Sequence, residues 1–129
     1  MMLYCHLQIK PLKKIDFSFN WKETLLNRHP GLLCIEADHH SDTFLTQESS
    51  KLILQSDQII GFFDVEESDS IGSLASILEA LRRAKGKKLI FVRGSHQMLE
   101  RSFLMFNSEV IAFGNEEQLL KEVNTFFNT

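Results

Sequence analysis

Apolar and polar positions along this chain follow two alternating patterns. Short, mostly apolar runs at residues 3–9, 32–37, 59–65, 89–92 and 110–113 are typical of strands. Between these runs, apolar residues recur every three or four positions, as they do on helices with one buried face. The pattern therefore predicts a strand and a helix repeated five times.

The run at residues 59–65 indicates how the strands are arranged. It is almost continuously apolar, whereas a half-exposed strand would alternate, so both of its faces are expected to be covered, as in a parallel sheet. Short connections and right-handed crossovers then favour a three-layer α/β domain. We expect a single domain, residues 1–129, with a five-stranded, mostly parallel sheet in the flavodoxin-like order 2-1-3-4-5.

Capping residues predict where the helices begin and end. N-caps are expected at Asn20, at Ser41 or Asp42, at Ser95 and at Asn115. Gly86 predicts a left-handed C-cap at the end of the third helix. The second helix is expected to bury a stripe formed by Phe44, Leu45, Ser49, Leu52 and Ile53.

Composition narrows the function classes. Hydrophobic residues make up 43% of the 129 and charged residues 24%, which is typical of globular domains. A net charge of −3 argues against nucleic acid or an anionic membrane as a partner. No apolar run approaches the roughly 20 residues of a membrane span, and the N-terminus has no signal-peptide pattern. Cys5 and Cys34 lie in apolar contexts, which favours buried thiols in a reduced, cytoplasmic protein over a disulfide.

Polar residues that follow the strands are the candidate binding site. Ligands of doubly wound sheets dock beyond the carboxyl ends of the strands, where the strand order reverses. Lys10 follows the first strand at this edge, and the candidate ligand-binding residues there are Asp64, Glu66, Ser70, Gly72 and Arg93. Acidic residues before the third helix complement its dipole, and so do the basic residues within 82–88 at its other end. A purely structural role for the acidic residues is therefore the simpler interpretation.

Three other polar clusters are weaker candidates for a functional site. Adjacent imidazoles at His39 and His40 point apart in an extended chain, so no metal site is expected beside Asp38. Ser95 and His96 are sequence neighbours, which is not the spatial arrangement of a nucleophile and its base. The basic patch at residues 10–14 is typical of a solvated surface. No motif for a cofactor or a metal is present, and none is expected.

Two family resemblances extend this interpretation. Residues 69–123, which begin with Asp69-Ser70-Ile71-Gly72, resemble the C-terminal half of STAS domains, the anti-sigma-factor-antagonist family. In that family a serine in an Asp-Ser-x-Gly turn can be phosphorylated to switch partner binding. The resemblance implies that Ser70 is a phosphorylation site, and a STAS-like α/β fold is the alternative architecture.

Residues 48–92 resemble nucleoside deoxyribosyltransferase-like and Toll/interleukin-receptor-like domains. The match comprises ESSKLILQSDQIIGFFDV and the segment GSLASILEALRRAKGKKLI. Aligning the glycine at the helix start places Ser76 where the family has its catalytic glutamate, and Glu79 lies one turn later. The resemblance therefore implies the scaffold without its usual nucleophile.

The sequence favours a binding or regulatory domain without catalysis, whose partner is a protein or a small nucleoside-like ligand. One alternative is hydrolysis or transfer at an N-glycosidic bond, with Asp64, Glu66 or Glu79 as the working carboxylate. The other is an interaction module switched at Ser70. Apolar residues on the last helix, Phe126 and Phe127, could provide a surface for a homodimer.

Overall fold

The computed structural model describes residues 1–67 and 70–128, and in them five strands alternate with five helices. The strands are β1 (Met2–Ile9), β2 (Leu33–Asp38), β3 (Gln58–Val65), β4 (Lys87–Gly94) and β5 (Glu109–Ala112). The helices are α1 (Lys22–Arg28), α2 (Thr43–Gln55), α3 (Ala75–Arg83), α4 (Gln97–Phe103) and α5 (Glu116–Phe127). This order confirms the predicted alternation.

All strand pairs are parallel, and the sheet order is β2-β1-β3-β4-β5, as predicted. The order reverses between β1 and β3, so that gap is the switch point at which ligands of such sheets bind. The register places Gln8 opposite Asp64, and Asp64 opposite Arg93. Three polar side chains from neighbouring strands therefore share one level of the sheet near its carboxyl edge.

Apolar side chains form a core on each face of the sheet. Along β3, Phe63 and Val65 belong to the core under α2, α3 and α4, whereas Ile60 and Phe62 belong to the core under α1 and α5. The continuous apolar run of this strand is explained by these two covered faces. Phe126 and Phe127 pack partly buried against the second core.

Capping explains the helix boundaries only in part. Asp42 accepts a hydrogen bond from the Leu45 amide, and Asn115 accepts one from the Gln118 amide, which confirms both as N-caps. The prediction for Asn20 is wrong, because α1 begins after Trp21 without a side-chain cap. The prediction for Ser95 is also wrong, because His96 is the N-cap of α4.

The third helix ends differently from the prediction. Gly86 is not in the left-handed region; an added Cβ there would lie 2.3 Å from the carbonyl oxygen of Ser56, so the position requires glycine for close approach. The end of α3 is instead capped from β4. Lys88 Nζ donates to the carbonyl oxygens of Leu81 at 2.9 Å and Ala84 at 3.0 Å.

The inner face of α2 follows the prediction except in its first turn. Ser49 and Ile53 are buried, and Leu52 packs partly buried against the core, as predicted. Phe44 and Leu45 are exposed, and Thr46 is the buried residue of the first turn.

The two cysteines are free thiols on opposite faces of the sheet. Cys5 lies in the core under α2, α3 and α4, and Cys34 packs against the other core. Burial raises the pKa of both thiols. Across the described ranges, no helix is both long enough and apolar enough to cross a bilayer.

Candidate functional site

A buried carboxylate held by two cations lies at the carboxyl edge of the sheet. Asp64 is the seventh residue of β3, and its side chain is only 4% exposed. Arg93, directly opposite on β4, donates from Nε to Oδ1 at 3.1 Å and from Nη2 to Oδ2 at 2.5 Å. Lys10, which follows β1, donates from Nζ to Oδ2 at 2.6 Å. We call Asp64, Arg93 and Lys10 the edge triad.

The edge triad keeps the carboxylate ionised. Burial alone would raise the pKa of Asp64, but the hydrogen bonds and positive charges of Arg93 and Lys10 outweigh it. The pKa of Asp64 therefore lies below its ordinary value. A carboxylate in this state accepts hydrogen bonds and is not poised to donate or remove a proton at neutral pH.

Aromatic rings fix the position of the Arg93 guanidinium. Its central carbon lies 5.6 Å from the ring centre of Phe62 and 5.5 Å from that of Phe113. Cation–π attraction of this kind adds to the two hydrogen bonds from Asp64. The Arg93 side chain is nonetheless 45% exposed, so part of the guanidinium faces solvent.

The side chains of Tyr4, His6 and Gln8 form a buried polar row on β1, which we call the β1 row, and Gln8 lies opposite Asp64 of the edge triad. Tyr4, His6 and Gln8 all project to the face covered by α1 and α5, and all three are buried. The Tyr4 hydroxyl accepts a hydrogen bond from Trp21 Nε1 at 3.2 Å. Gln8 exchanges two hydrogen bonds with the backbone of Asp16, so the segment that follows β1 folds back over this row.

The protonation of His6 follows from these contacts. Because Gln8 Oε1 accepts from the Asp16 amide, the other end of the side chain is its NH₂ group. That group lies 3.2 Å from His6 Nε2 and donates to it, so the ring proton is on Nδ1. Burial lowers the pKa of His6 to about 4, and the Asp64 carboxylate only partly opposes this. His6 is therefore neutral at pH 7.

Sequence reasoning missed this row. Tyr4, His6 and Gln8 alternate with Leu3, Cys5 and Leu7, an alternation that usually marks a strand with one face in water. The signal was present, but the covering segment, residues 15–21, has no strong pattern of its own. The sequence identified Asp64 and Arg93 as candidates and placed Lys10 at the same edge of the sheet, but it did not pair Lys10 with Asp64. It did not identify His6 or Gln8 as neighbours of these residues.

The remaining predicted residues lie around the triad in different roles. Glu66 forms an exposed ion pair with Lys14 at 3.3 Å. Glu67 accepts a hydrogen bond from the Gln97 amide and so caps α4. Ser70 is exposed, and its modification stays a prediction. The acidic segment 64–69, which follows the core of β3 in the sequence, also includes Ser68 and Asp69, and these two lie outside the described residues.

Gly72 supports a close contact within the fold. Its φ is +57°, and an added Cβ would lie 2.4 Å from the carbonyl oxygen of His39. The neighbouring Ser73 amide donates to that same oxygen at 3.1 Å. Gly72 thus joins the start of α3 to the loop after β2, which explains glycine at this position without a ligand.

The loop at residues 38–42 is held by local hydrogen bonds, and the ring centres of His39 and His40 lie 4.1 Å apart, so the expectation that these two imidazoles point apart is wrong. Ser41 Oγ accepts from the Asp38 amide, and Asp38 Oδ1 accepts from the His40 amide. Within residues 1–67 and 70–128, no three His, Cys, Asp or Glu side chains are grouped so that they could hold a metal ion.

Glu79 lies away from the edge triad. It is ion-paired with Arg82 on the outer face of α3. Both residues line a groove of about 200 Å³ between α3 and α4, whose apolar part is formed by Ile71, Leu78, Met105 and Phe106. Ser76, which occupies the place of the catalytic glutamate in the transferase resemblance, donates to the Ser73 carbonyl oxygen. The structure therefore brings Asp64 and Arg93 together and leaves Glu79 on another surface.

Comparison with known proteins adds no relative: no family model, no curated protein and no solved structure matches the chain. The resemblances to STAS and to nucleoside deoxyribosyltransferase-like domains stay predictions.

Proposed function

We propose that this chain is a non-catalytic binding or regulatory domain whose ligand docks at the carboxyl edge of the sheet, beside the edge triad. The edge triad is the observation that supports this function. Asp64 is buried at the switch point, and both of its oxygens are occupied by Lys10 and Arg93. The switch point is where doubly wound sheets bind ligands.

The chemistry of Asp64 favours positioning over catalysis. A general acid or base needs a pKa near the working pH and access to the proton that it transfers. Asp64 has a lowered pKa and a side chain that is 4% exposed. Its two cationic neighbours, by contrast, keep part of their surface in solvent. In this proposal Asp64 orients Lys10 and Arg93, and these two residues face the ligand.

The same geometry gives less support to N-glycosidic bond cleavage. Such an enzyme needs a carboxylate next to the sugar, as a nucleophile or as an acid and base. Of the three predicted carboxylates, Asp64 is enclosed, Glu66 is paired with Lys14, and Glu79 is paired with Arg82 on a different surface. We therefore place binding ahead of this activity.

A ligand screen with a product assay tests the proposal. The full chain is titrated with nucleosides, nucleotides and divalent metals while its melting temperature is followed, and free base is measured by chromatography. We expect at least one ligand to raise the melting temperature with concentration, without product, and Arg93→Gln to weaken the effect. Arg82→Gln, on α3, is the matched control. Base release that is abolished by Glu79→Gln or Asp64→Asn would refute the non-catalytic function.

A further inference from the structure

The edge triad carries more positive charge than Asp64 neutralises. Lys10 Nζ and Arg93 Nη2 donate to the same oxygen, Asp64 Oδ2, at 2.6 Å and 2.5 Å. The two nitrogens therefore cannot be further apart than the sum of these distances, about 5.1 Å. Two cations share one carboxylate, which leaves one unit of positive charge in a small volume.

Both cations have hydrogen-bond donors left for a ligand. A guanidinium has five N–H groups, and Asp64 engages only its Nε and Nη2 edge. Arg93 Nη1 has no hydrogen bond to any residue in the described ranges, and the side chain is 45% exposed. The Lys10 ammonium has three N–H groups, and among the described residues it makes one hydrogen bond, to Asp64.

The nearby carboxylates do not bind Lys10 or Arg93. Glu66 pairs with Lys14 through Oε1, while its Oε2 is buried without a hydrogen-bond partner among the described residues. Glu67 accepts from the amide of Gln97 at the start of α4. The Asp16 carboxylate accepts from the Ser18 amide, in the segment that covers β1. Of the described carboxylates in this region, only Asp64 is bound to the two cations, and it is already fully used.

We propose that Lys10 and Arg93 form a receptor for an oxyanion, a phosphate or carboxylate group carried by a small ligand. This inference rests on the proposed function and specifies the chemical class of its ligand. Two oxygens of one such group can bridge cationic nitrogens that are at most about 5 Å apart, and hydrogen bonds between charged partners are the strong ones. Phe62, Phe113 and Asp64 hold the guanidinium in place before the anion arrives, which lowers the entropy cost of binding.

The direct test uses the whole chain and simple anions. Melting temperature and the ¹⁵N–¹H signals of the arginine Nε groups are followed during titration with sodium phosphate or sodium acetate, with sodium chloride holding the ionic strength constant. We expect a saturable rise in melting temperature and a shift of the Arg93 Nε signal. Phosphate acting alone would identify a phosphate receptor, acetate acting alone would identify a carboxylate receptor, and equal action of both would identify a receptor for either oxyanion. An identical response to phosphate, acetate and chloride would overturn the proposal.

Variants then locate the receptor. Lys10→Gln keeps the Asp64–Arg93 pair, so it should fold and lose at least about tenfold in anion affinity. Arg93→Gln should lose more, and Arg101→Gln, on the exposed face of α4, should bind as the parent does. Asp64→Asn should also weaken phosphate binding, because Lys10 and Arg93 lose the carboxylate that orients them. Unchanged affinity in Lys10→Gln and Arg93→Gln would refute the receptor.

The outcomes separate this inference from the proposed function. If neutral nucleosides stabilise the chain and perturb the Arg93 and Gly94 amides while anions have no effect, the oxyanion receptor is wrong and the binding function stands. If anions bind and base is also released from nucleosides, the receptor stands and the non-catalytic function is wrong.

Discussion

The side-chain amide of Gln8 donates to Nε2 of the buried His6, and this contact leaves the ring proton on Nδ1. The nitrogen that accepts from Gln8 is the one that would have to take up a proton. A protonated ring would oppose the Gln8 NH₂ group with a second donor. Phe17, Phe19 and Phe62 pack edge-on around the same ring and offer no carboxylate.

We expect His6 to make the fold lose stability in mild acid. Its pKa is about 4 in the folded chain and 6.5 ordinarily, so the unfolded chain binds more protons between these values. The contribution is fully present above about pH 6.5 and is lost as pH falls toward 4, by up to about 3 kcal/mol. Asp64 raises the pKa of His6, while Arg93, Lys10 and Lys22 lower it.

Urea unfolding at several pH values measures this loss. His6→Phe should flatten the curve between pH 6.5 and 4, and His40→Gln, at an exposed loop position, is the matched control. Asp64 acts in a separate pH window. Its pKa is lowered in the folded chain, so its contribution to stability is lost only as the pH falls below the ordinary aspartate pKa near 4. A histidine ¹⁵N titration that finds His6 charged at pH 6 would contradict the prediction.

The second prediction concerns the edge triad. Asp64→Asn leaves Lys10 and Arg93 next to each other with no negative charge between them, and we expect a loss of about 2–3 kcal/mol in unfolding free energy. Glu66→Gln breaks an exposed pair with Lys14 and should cost less than about 1 kcal/mol. Urea unfolding of both variants at pH 7 checks the difference. Equal losses in the two variants would mean that burial does not strengthen the triad.

The fold could be predicted because its signals are local. Apolar runs and helical spacing define the strands and helices, and chain connectivity then limits the strand order. Asp64 and Arg93 could be proposed since each follows an apolar strand core, where the carboxyl edge must lie. Lys10 could be placed at the same edge, but its pairing with Asp64 could not be predicted, because that hydrogen bond depends on the register between strands whose paired residues are 54 positions apart.

The errors in capping have a related cause. Ser95 and Asn20 have good N-cap chemistry, but tertiary packing selected a neighbouring residue in each place. The end of α3 shows this most clearly, since its cap is a lysine from the next strand and not the glycine that follows the helix. Propensity therefore located the N-caps of α1 and α4 to within one residue and did not identify what closes α3.

The third prediction tests that lysine cap. Lys88→Ala removes the donors to the carbonyl oxygens of Leu81 and Ala84, which lie at the buried end of α3. We expect a loss of about 1–2 kcal/mol, because buried acceptors are left without a partner. Lys87→Ala, one position earlier and exposed, should change stability by less than about 0.5 kcal/mol. A Lys88→Ala variant as stable as Lys87→Ala would show that the cap contributes nothing.

The last prediction concerns the glycine that ends β4 beside the edge triad. Gly94 has φ near +91°, and an added Cβ would lie 2.0 Å from the carbonyl oxygen of Val65 on β3. Gly94→Ala must therefore strain the backbone and push β3 and β4 apart, and we expect a loss of about 3 kcal/mol or more. Gly31 has a similar φ of +90° but open space around it, so Gly31→Ala should cost only about 1 kcal/mol. Thermal unfolding compares the two variants directly.

The same glycine should also affect phosphate binding, because Arg93 precedes Gly94 and bridges β3 and β4. Gly94→Ala should weaken phosphate binding, whereas Gly31→Ala should leave it intact. Equal effects of the two variants on binding would mean that the strand spacing at Gly94 does not position Arg93.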